Sequence, residues 1–256
     1  MAVTYHDDGP LGFITLDKPP ANSYDLEFMT EYSGAVDEAI AGATRVVTVQ
    51  SASPKFFSAG ADIKRFLDGD VDSNMEMIRV SQAAFHRMAA APQVFIAYIA
   101  GHALGGGLEI ALACDIRLGA AGSYKIGLPE VTLGLLPGNG GTQRLTRLIG
   151  PSRAMELLVT GRTFSIEDGR EWGLIADVYD AEDAQGRVLE YAARLAGGAA
   201  LAIASIKRCV YVGGERALAD GLALEGELIE ELFRSKDADE GLHAFVEKRQ
   251  PEFVGS

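Results

Sequence analysis

Gly105-Gly106-Gly107-Leu108-Glu109-Ile110-Ala111-Leu112-Ala113-Cys114-Asp115 decides how the rest of the chain is read. Three glycines let the backbone turn sharply and let another group approach it closely. The run from Leu108 to Cys114 is apolar almost all round, so a helix there is a buried one. The first amides of a helix lack intrahelical acceptors, and the aligned peptide dipoles make that end attractive to negative charge. A glycine turn feeding a buried helix is therefore a place to hold a developing oxyanion. Glu109, in the first turn, is placed to face the same spot.

Immediately upstream, Val94-Phe95-Ile96-Ala97-Tyr98-Ile99 reads as a buried strand leading into the glycines. Strand, loop and helix alternate in the same way back to the N-terminus. Gly12 to Leu16 reads as a strand stopped by Pro19-Pro20. Leu26 to Ile40 has helical spacing in Leu26, Met29, Val36 and Ile40, and Arg45 to Val49 is a second strand. Strand, helix, strand is a crossover pattern that predicts parallel pairing. The loop Ser51 to Arg65 follows, and Phe66 to Asn74, rich in Asp and Gly, reads as a mobile connection. Met75, Ile78, Phe85 and Met88 place an apolar face on a helix that ends before Pro92.

Downstream, Ile116-Arg117-Leu118 and Tyr124-Lys125-Ile126 read as short strands that deliver Glu130 on the loop Leu128-Pro129-Glu130. Pro137-Gly138-Asn139-Gly140-Gly141 is a second glycine turn, before a helix from Thr142 to Ile149. From Pro151 onward the chain is mostly helical. Met155, Leu158 and Val159 share a face, Ser165 to Asp168 resembles a capping box, Trp172 to Val178 is a candidate strand, and Leu224, Leu228 and Leu232 form a stripe.

Hydrophobic residues make up 48% and charged residues 23% of the 256-residue sequence, an ordinary globular balance with enough chain for one large core. The formal net charge of −13 disfavours nucleic acid or an anionic membrane as a general partner, and an anionic small ligand then needs a local basic patch. Cys114 and Cys209 are far apart, lack metal-site spacing and suit a reducing compartment. The N-terminal segment carries Asp7 and Asp8 without an apolar core, no stretch approaches membrane-spanning length, and Phe253-Val254-Gly255-Ser256 is not a peroxisomal tripeptide. The expected location is the cytoplasm.

Two glutamates brought into one apolar site suit general acid–base chemistry, because burial and mutual repulsion raise at least one carboxyl pKa toward neutrality. Spacing alone does not show that Glu109 and Glu130 meet. The motifs around them do resemble a known family. Ser58-Ala59-Gly60-Ala61-Asp62-Ile63-Lys64, Gly101-His102-Ala103-Leu104-Gly105-Gly106-Gly107-Leu108-Glu109 and Gly127-Leu128-Pro129-Glu130 are similar to motifs of the crotonase superfamily. So is Leu136-Pro137-Gly138-Asn139-Gly140-Gly141-Thr142-Gln143-Arg144-Leu145, and the similarity runs on to Ala244-Phe245-Val246-Glu247-Lys248-Arg249. The match looks most like the enoyl-CoA hydratase branch.

The resemblance implies an α/β fold, a crotonase-type spiral of repeated strand-strand-helix units over residues 1–195 with a C-terminal helical trimerisation region over 196–256. Assembly as a homotrimer or a dimer of trimers is the matching expectation. The implied reaction is reversible hydration of a 2-trans-enoyl-CoA to a 3-hydroxyacyl-CoA. It needs no metal and no cofactor beyond the coenzyme A of the acyl-CoA substrate, and no nucleic-acid or membrane partner. The backbone amides of Ala61 and Gly106 match the family's oxyanion hole for the thioester carbonyl. Glu109 matches the glutamate that activates water, Glu130 the one that exchanges a proton with the α-carbon, and Gly138 a glycine whose amide lies near the reacting groups. Coenzyme A contacts fall on Lys55, Ala59, Asp62, Ile63 and Lys64, with Lys248 supplied within or across a subunit interface. The sequence departs from the family at Asn22-Ser23-Tyr24, where the pattern is Asn-Ala-Leu.

Other readings stay open at this level. A Δ3–Δ2 enoyl-CoA isomerase needs only Glu130 as proton shuttle, and Glu109 argues against it; a thioester hydrolase uses the same scaffold. A noncatalytic CoA- or RNA-binding oligomer is a different class, disfavoured by the charge and the lack of a lysine-rich run. Plainer roles also exist: Glu109 as a helix-start carboxylate, Glu130 as a solvated loop residue, the lysines as surface charges. Cys114 reads as a small buried hydrophobe, His102 as structural, His86 as a surface residue and Asp62 as shaping its loop. No P-loop lysine, Gly-x-Ser-x-Gly elbow or His-Glu-x-x-His spacing is present.

Overall fold

Alternate strands of the chain enter two different sheets in the structure, a computed structural model describing residues 1–256. β1 (Val3–Asp8) and β2 (Leu11–Leu16) form an antiparallel hairpin, and α1 (Leu26–Ala41) crosses to β3 (Val46–Ser51), which pairs parallel with β2. From there each turn lays one strand into a large sheet, the next into a small one, and then a helix. β3 and β4 (Phe56–Ser58) lead to α2 (Ile63–Asp68) and α3 (Val71–Ala90), and β5 (Val94–Ile99) and β6 (His102–Leu104) lead to α4 (Gly106–Ala113). β7 (Ile116–Ala120) and β8 (Ile126–Gly127) lead through a 3-10 turn, Glu130–Leu133, to α5 (Gly141–Ile149). α6 (Pro151–Thr160) and α7 (Ile166–Glu171) then return the chain to β9 (Asp177–Tyr179). The large sheet runs β1-β2-β3-β5-β7-β9, the small one β4-β6-β8. This is the expected spiral of strand-strand-helix units.

The sheet is covered on both faces, which is why β5 has no polar residue. Phe95, Ala97 and Ile99 enter one core with α1, α3 and α4. Val94 and Ile96 enter another, with Val188, Ala192 and Ala196 of α8 (Ala184–Ala196). α4 lies inside the first core with every residue buried. The C-terminal region continues with α9 (Ala200–Arg208), a π-helical turn at Cys209–Gly213, α10 (Leu218–Leu232) and α11 (Lys236–Glu247). The expected division after residue 195 falls at the last residue but one of α8. One buried cation ties α9 to the spiral. Lys207 Nζ donates to the carbonyls of Met88 and Gln93 at 2.6 and 2.7 Å and to Asp115 at 2.8 Å. No single helix is long and apolar enough to cross a membrane.

Several expectations need correction. Phe66 to Asn74 is not a mobile connection but the end of α2 and the first turn of α3. Aspartates and glycines here mark helix ends: Gly69 closes α2, Asp70 accepts from Ser73 N at 2.8 Å at the start of α3, and just upstream Asp62 accepts from Lys64 N at 3.0 Å at the start of α2. The buried face of α3 is Met77, Ser81, Ala84, Phe85 and Met88, whereas Met75 is exposed. In α1, Leu26 is exposed and Phe28 and Tyr32 join Met29 and Val36 inside. Ala154 and Leu157 are the buried residues of α6, leaving Met155 and Val159 in solvent. β1 has no apolar signature because it is an edge strand with most of its residues exposed. The capping box at Ser165 is present, closed by Asp168.

Candidate active site

Two backbone segments meet at the start of α4. Gly105 turns the chain with φ +54° and leaves α4 without a side-chain cap. A Cβ on Gly107 would lie 2.3 Å from the Ser58 carbonyl oxygen, and one on Gly60 would lie 2.7 Å from the Leu104 oxygen and 3.2 Å from Gly106 N. Only glycine permits this approach, and it sets the turn at Gly60, which Ala61 follows, against the start of α4 at Gly106. Gly106 N, the first amide of α4, has no intrahelical acceptor, and neither amide takes part in the hydrogen bonds of the surrounding turns and loops. A free donor at a helix start, such as Gly106 N, suits a developing negative charge.

The two glutamates are brought together beside these amides. Glu109 is buried, and its Oε1 accepts from the amides of Asn139 and Gly141, each at 2.7 Å. Burial raises its pKa, while those two amides and the charge of Arg144 work the other way. Both backbone bonds fall on Oε1, and the Asn139 side chain also favours the charged carboxylate. Glu130, first residue of the 3-10 turn, packs its carboxylate against the glycine turn, with Oε1 3.0 Å from where a Gly105 Cβ would be. Its Oε2 is buried with no hydrogen-bond partner. Burial, reinforced by the charge of Glu109, pushes its carboxyl from 4.5 up to about 7, against its own backbone amide. Burial thus raises both carboxyls, and the two backbone amides that favour the charged form fall on Glu109 alone.

Sequence reasoning missed three residues here. Asn139 does more than lend its amide to Glu109: its Nδ2 donates to Tyr24 Oη at 3.0 Å, and its carbonyl accepts from Arg144 at 2.8 Å. Tyr24 is buried, and its Oη fills the space beside Gly106. Asn22, with φ +50°, fixes the loop between β2 and α1 to β4. Its Nδ2 donates to Ser51 Oγ at 2.8 Å and the Phe57 carbonyl at 2.9 Å, and Ser58 Oγ donates back to its carbonyl at 2.8 Å. The proline-asparagine context signals a turn; nothing local signals that Tyr24 and Asn139, far apart in the chain, meet.

The remaining predicted residues divide by location. Lys55 and Ala59 flank β4, and Asp62, Ile63 and Lys64 form the cap and first turn of α2. Lys55 and Lys64 are exposed and form no ion pair within the chain, and Lys55 Nζ lies 5.7 Å from the Phe56 ring centroid. Ala59 N donates to the Ala21 carbonyl, Ile63 is exposed, and Asp62 caps α2, the loop-shaping role expected of it. A cleft of about 420 Å³ opens here, lined by Asp25, Asp62, Phe66, Asn74 and Met77. Gly138 lies on the loop before α5, its carbonyl accepting from Gln82 Nε2 at 2.7 Å. Lys248 is not joined to these residues within one chain: it closes α11 in a left-handed conformation, φ +58°. His102 Nδ1 accepts from Lys125 N at 3.1 Å and its ring packs on Phe56, while His86 is on the surface. Cys114 is buried, and burial pushes its thiol far up.

The chain resembles characterised and solved proteins along nearly its whole length. The family model described as enoyl-CoA hydratase/isomerase matches residues 8–256. A probable enoyl-CoA hydratase of Bacillus subtilis (strain 168) is 37% identical over 257 residues, covering 99% of each chain. A solved enoyl-CoA hydratase structure from Geobacillus kaustophilus HTA426 superposes with a TM-score of 0.96 at 44% identity, covering 100% of this chain and 97% of that one. The enoyl-CoA hydratase of Bacillus anthracis gives a TM-score of 0.94 at 35% identity, covering 100% of both.

Proposed function

The chain belongs to the enoyl-CoA hydratase/isomerase family of enzymes, and from that premise we propose that it reversibly adds water to a 2-trans-enoyl-CoA, giving a 3-hydroxyacyl-CoA. The amides of Ala61 and Gly106 hold the thioester oxygen as enolate charge develops, a role in which losing one donor costs roughly 3–4 kcal/mol. Glu109, ionised, takes a proton from water as its oxygen bonds to C3. Glu130, protonated, delivers its proton to C2, and the Gly138 amide lies beside the reacting groups. The pair starts and ends with one proton, having moved it from one carboxyl to the other.

The unequal environments of the two carboxyls carry this reading. Glu109 has two backbone amides favouring its charged form, whereas Glu130 has an unpartnered oxygen and a pKa of about 7. An isomerase needs only the second group. Lys55 and Lys64 supply the positive charge that coenzyme A phosphates require on a protein of net charge −13. Ala59, Asp62 and Ile63 line the approach between them. Lys248 acts across a subunit interface, and the exposed apolar side chains Phe233, Phe245 and Val246 of the C-terminal region support assembly as a trimer or a dimer of trimers. We place the enzyme in the cytoplasm, with no metal or redox cofactor.

Loss of crotonyl-CoA absorbance tests the reading. Wild type is expected to hydrate it, and Glu109→Gln and Glu130→Gln each to lose the activity by several orders of magnitude. Full activity in Glu109→Gln would remove the two-carboxylate mechanism. A Glu109→Gln protein that still moves a 3-enoyl double bond would make it an isomerase.

A further inference from the structure

Tyr24 stands at the carboxylate pair with a hydroxyl that hydration as described above leaves unused. Its Oη lies 1.6 Å from where a Cβ on Gly106 would be, so the phenol touches the backbone of the proposed oxyanion donor. Oη accepts the hydrogen bond from Asn139 Nδ2 at 3.0 Å and makes no other. The phenol keeps its proton: burial raises its pKa well above 10, and the charges of Glu109 and then Glu130 raise it further. The Tyr24 O–H, a donor, has no protein acceptor, the buried Oε2 of Glu130 and Oδ1 of Asn139 have no protein donor, and the charges of both glutamates act on the phenol. The leucine that the family pattern has at this position offers no donor.

We infer that Tyr24 is a catalytic residue that donates its phenolic hydrogen bond to the oxygen added at C3, an inference that rests on the hydratase reading. Water has two protons and two lone pairs. In the addition one lone pair forms the bond to C3 and one proton passes to Glu109. The second lone pair is free to accept a hydrogen bond. The carboxylates accept, the Asn139 side-chain amide serves Tyr24 Oη and the Glu109 carboxylate, and the phenol is the remaining side-chain donor at the pair. The bond from Asn139 occupies one face of Oη and polarises the O–H outward. No proton leaves Tyr24. The balance stays that of hydration, with O–C3 and H–C2 formed and one O–H of water broken. In the dehydration direction the same contact holds the oxygen as its bond to C3 breaks.

Tyr24→Phe removes this one atom and keeps the ring. The expected result is a kcat for crotonyl-CoA hydration at least about tenfold lower, with KM changed by less than about twofold. Exchange of the α-protons of butyryl-CoA in D2O, followed by NMR, needs the amides and Glu130 but has no C3 oxygen; its rate is expected to match wild type. Incorporation of 3-fluorotyrosine at position 24, which preserves shape and donor, is expected to restore hydration. Unchanged hydration in Tyr24→Phe overturns the inference, and so does a parallel loss of hydration and exchange, which would make the residue a scaffold. A wild-type protein that exchanges butyryl-CoA protons but leaves crotonyl-CoA intact is a separate result, failure of the hydratase reading itself.

Discussion

Gly106→Ala is expected to damage both stability and activity through one contact. The added Cβ would meet Tyr24 Oη at 1.6 Å, Cζ at 2.5 Å and Cε1 at 2.7 Å. To reach ordinary contact at 3.4 Å the hydroxyl must retreat by about 1.8 Å. The Tyr24 backbone cannot follow, because its amide donates to Gly60 O at 2.9 Å and its carbonyl accepts from Asp62 N at 2.8 Å. The ring must swing within a filled core, or the start of α4 must move, and either breaks the bond from Asn139. Overpacking of this kind costs about 1–3 kcal/mol and the lost hydrogen bond about 1 more. For a chain of this size that lowers the melting temperature by about 5–15 °C. Hydration is expected to fall by about 100-fold or more if the displaced group is the oxyanion amide. Calorimetry and the crotonyl-CoA assay check both. Tyr24→Ala leaves a cavity of its own, yet Gly106→Ala/Tyr24→Ala is expected to lose about 1–3 kcal/mol less than the two single losses together, since the clash is gone. Gly34→Ala, where a Cβ meets nothing within 4 Å inside α1, is the control and is expected to be neutral or stabilising. Wild-type melting and activity in Gly106→Ala would refute the packing of Tyr24 on Gly106.

Glu130 gives stability a pH dependence of known sign. Its folded pKa, about 7, is raised from 4.5, so its contribution is fully present below about 4.5 and is lost as pH rises through 7. The full shift corresponds to roughly 3 kcal/mol, and about 1–2 survives screening because the residue is partly open to solvent. Urea titrations at pH 5 and 8 are expected to show wild type losing that much more than Glu130→Gln; parallel losses would contradict the shift. Lys207→Met leaves Asp115 without its cation and strips the Met88 and Gln93 carbonyls of their donor. About 3–5 kcal/mol of stability is expected to go with it, read as a large drop in melting temperature, and an unaltered melt would argue that α9 is held by other contacts.

Local chemistry was enough to read much of this protein. Glycine next to an apolar run already specifies a sharp turn into a buried helix, since no other residue accepts the backbone of Gly105 and Glu109 is the one polar side chain between Leu108 and Ala113. The apolar run of β5 likewise specifies a strand covered on both faces. Local reading failed where one residue type has two uses. The aspartates and glycines of 62–74 suit loops and helix ends equally, and only their bonds to Lys64 N and Ser73 N show that they are ends. The stripe of Met155 and Val159 has helical spacing, but which face of α6 meets the core depends on what the rest of the chain places beside it.

Side-chain type and local period are properties of consecutive residues, so the sequence by itself determined the alternation of strand, loop and helix, the glycine turns and the two glutamates as candidates. Convergence is a property of packing. That Asn139 supports Glu109, that Glu130 lies against Gly105, and that Tyr24 fills the space beside Gly106 follow from how three turns of the spiral stack. Burial then raises both carboxyls, and the charge of Glu109 adds to the rise at Glu130; those fields exist only once the chain has closed around them.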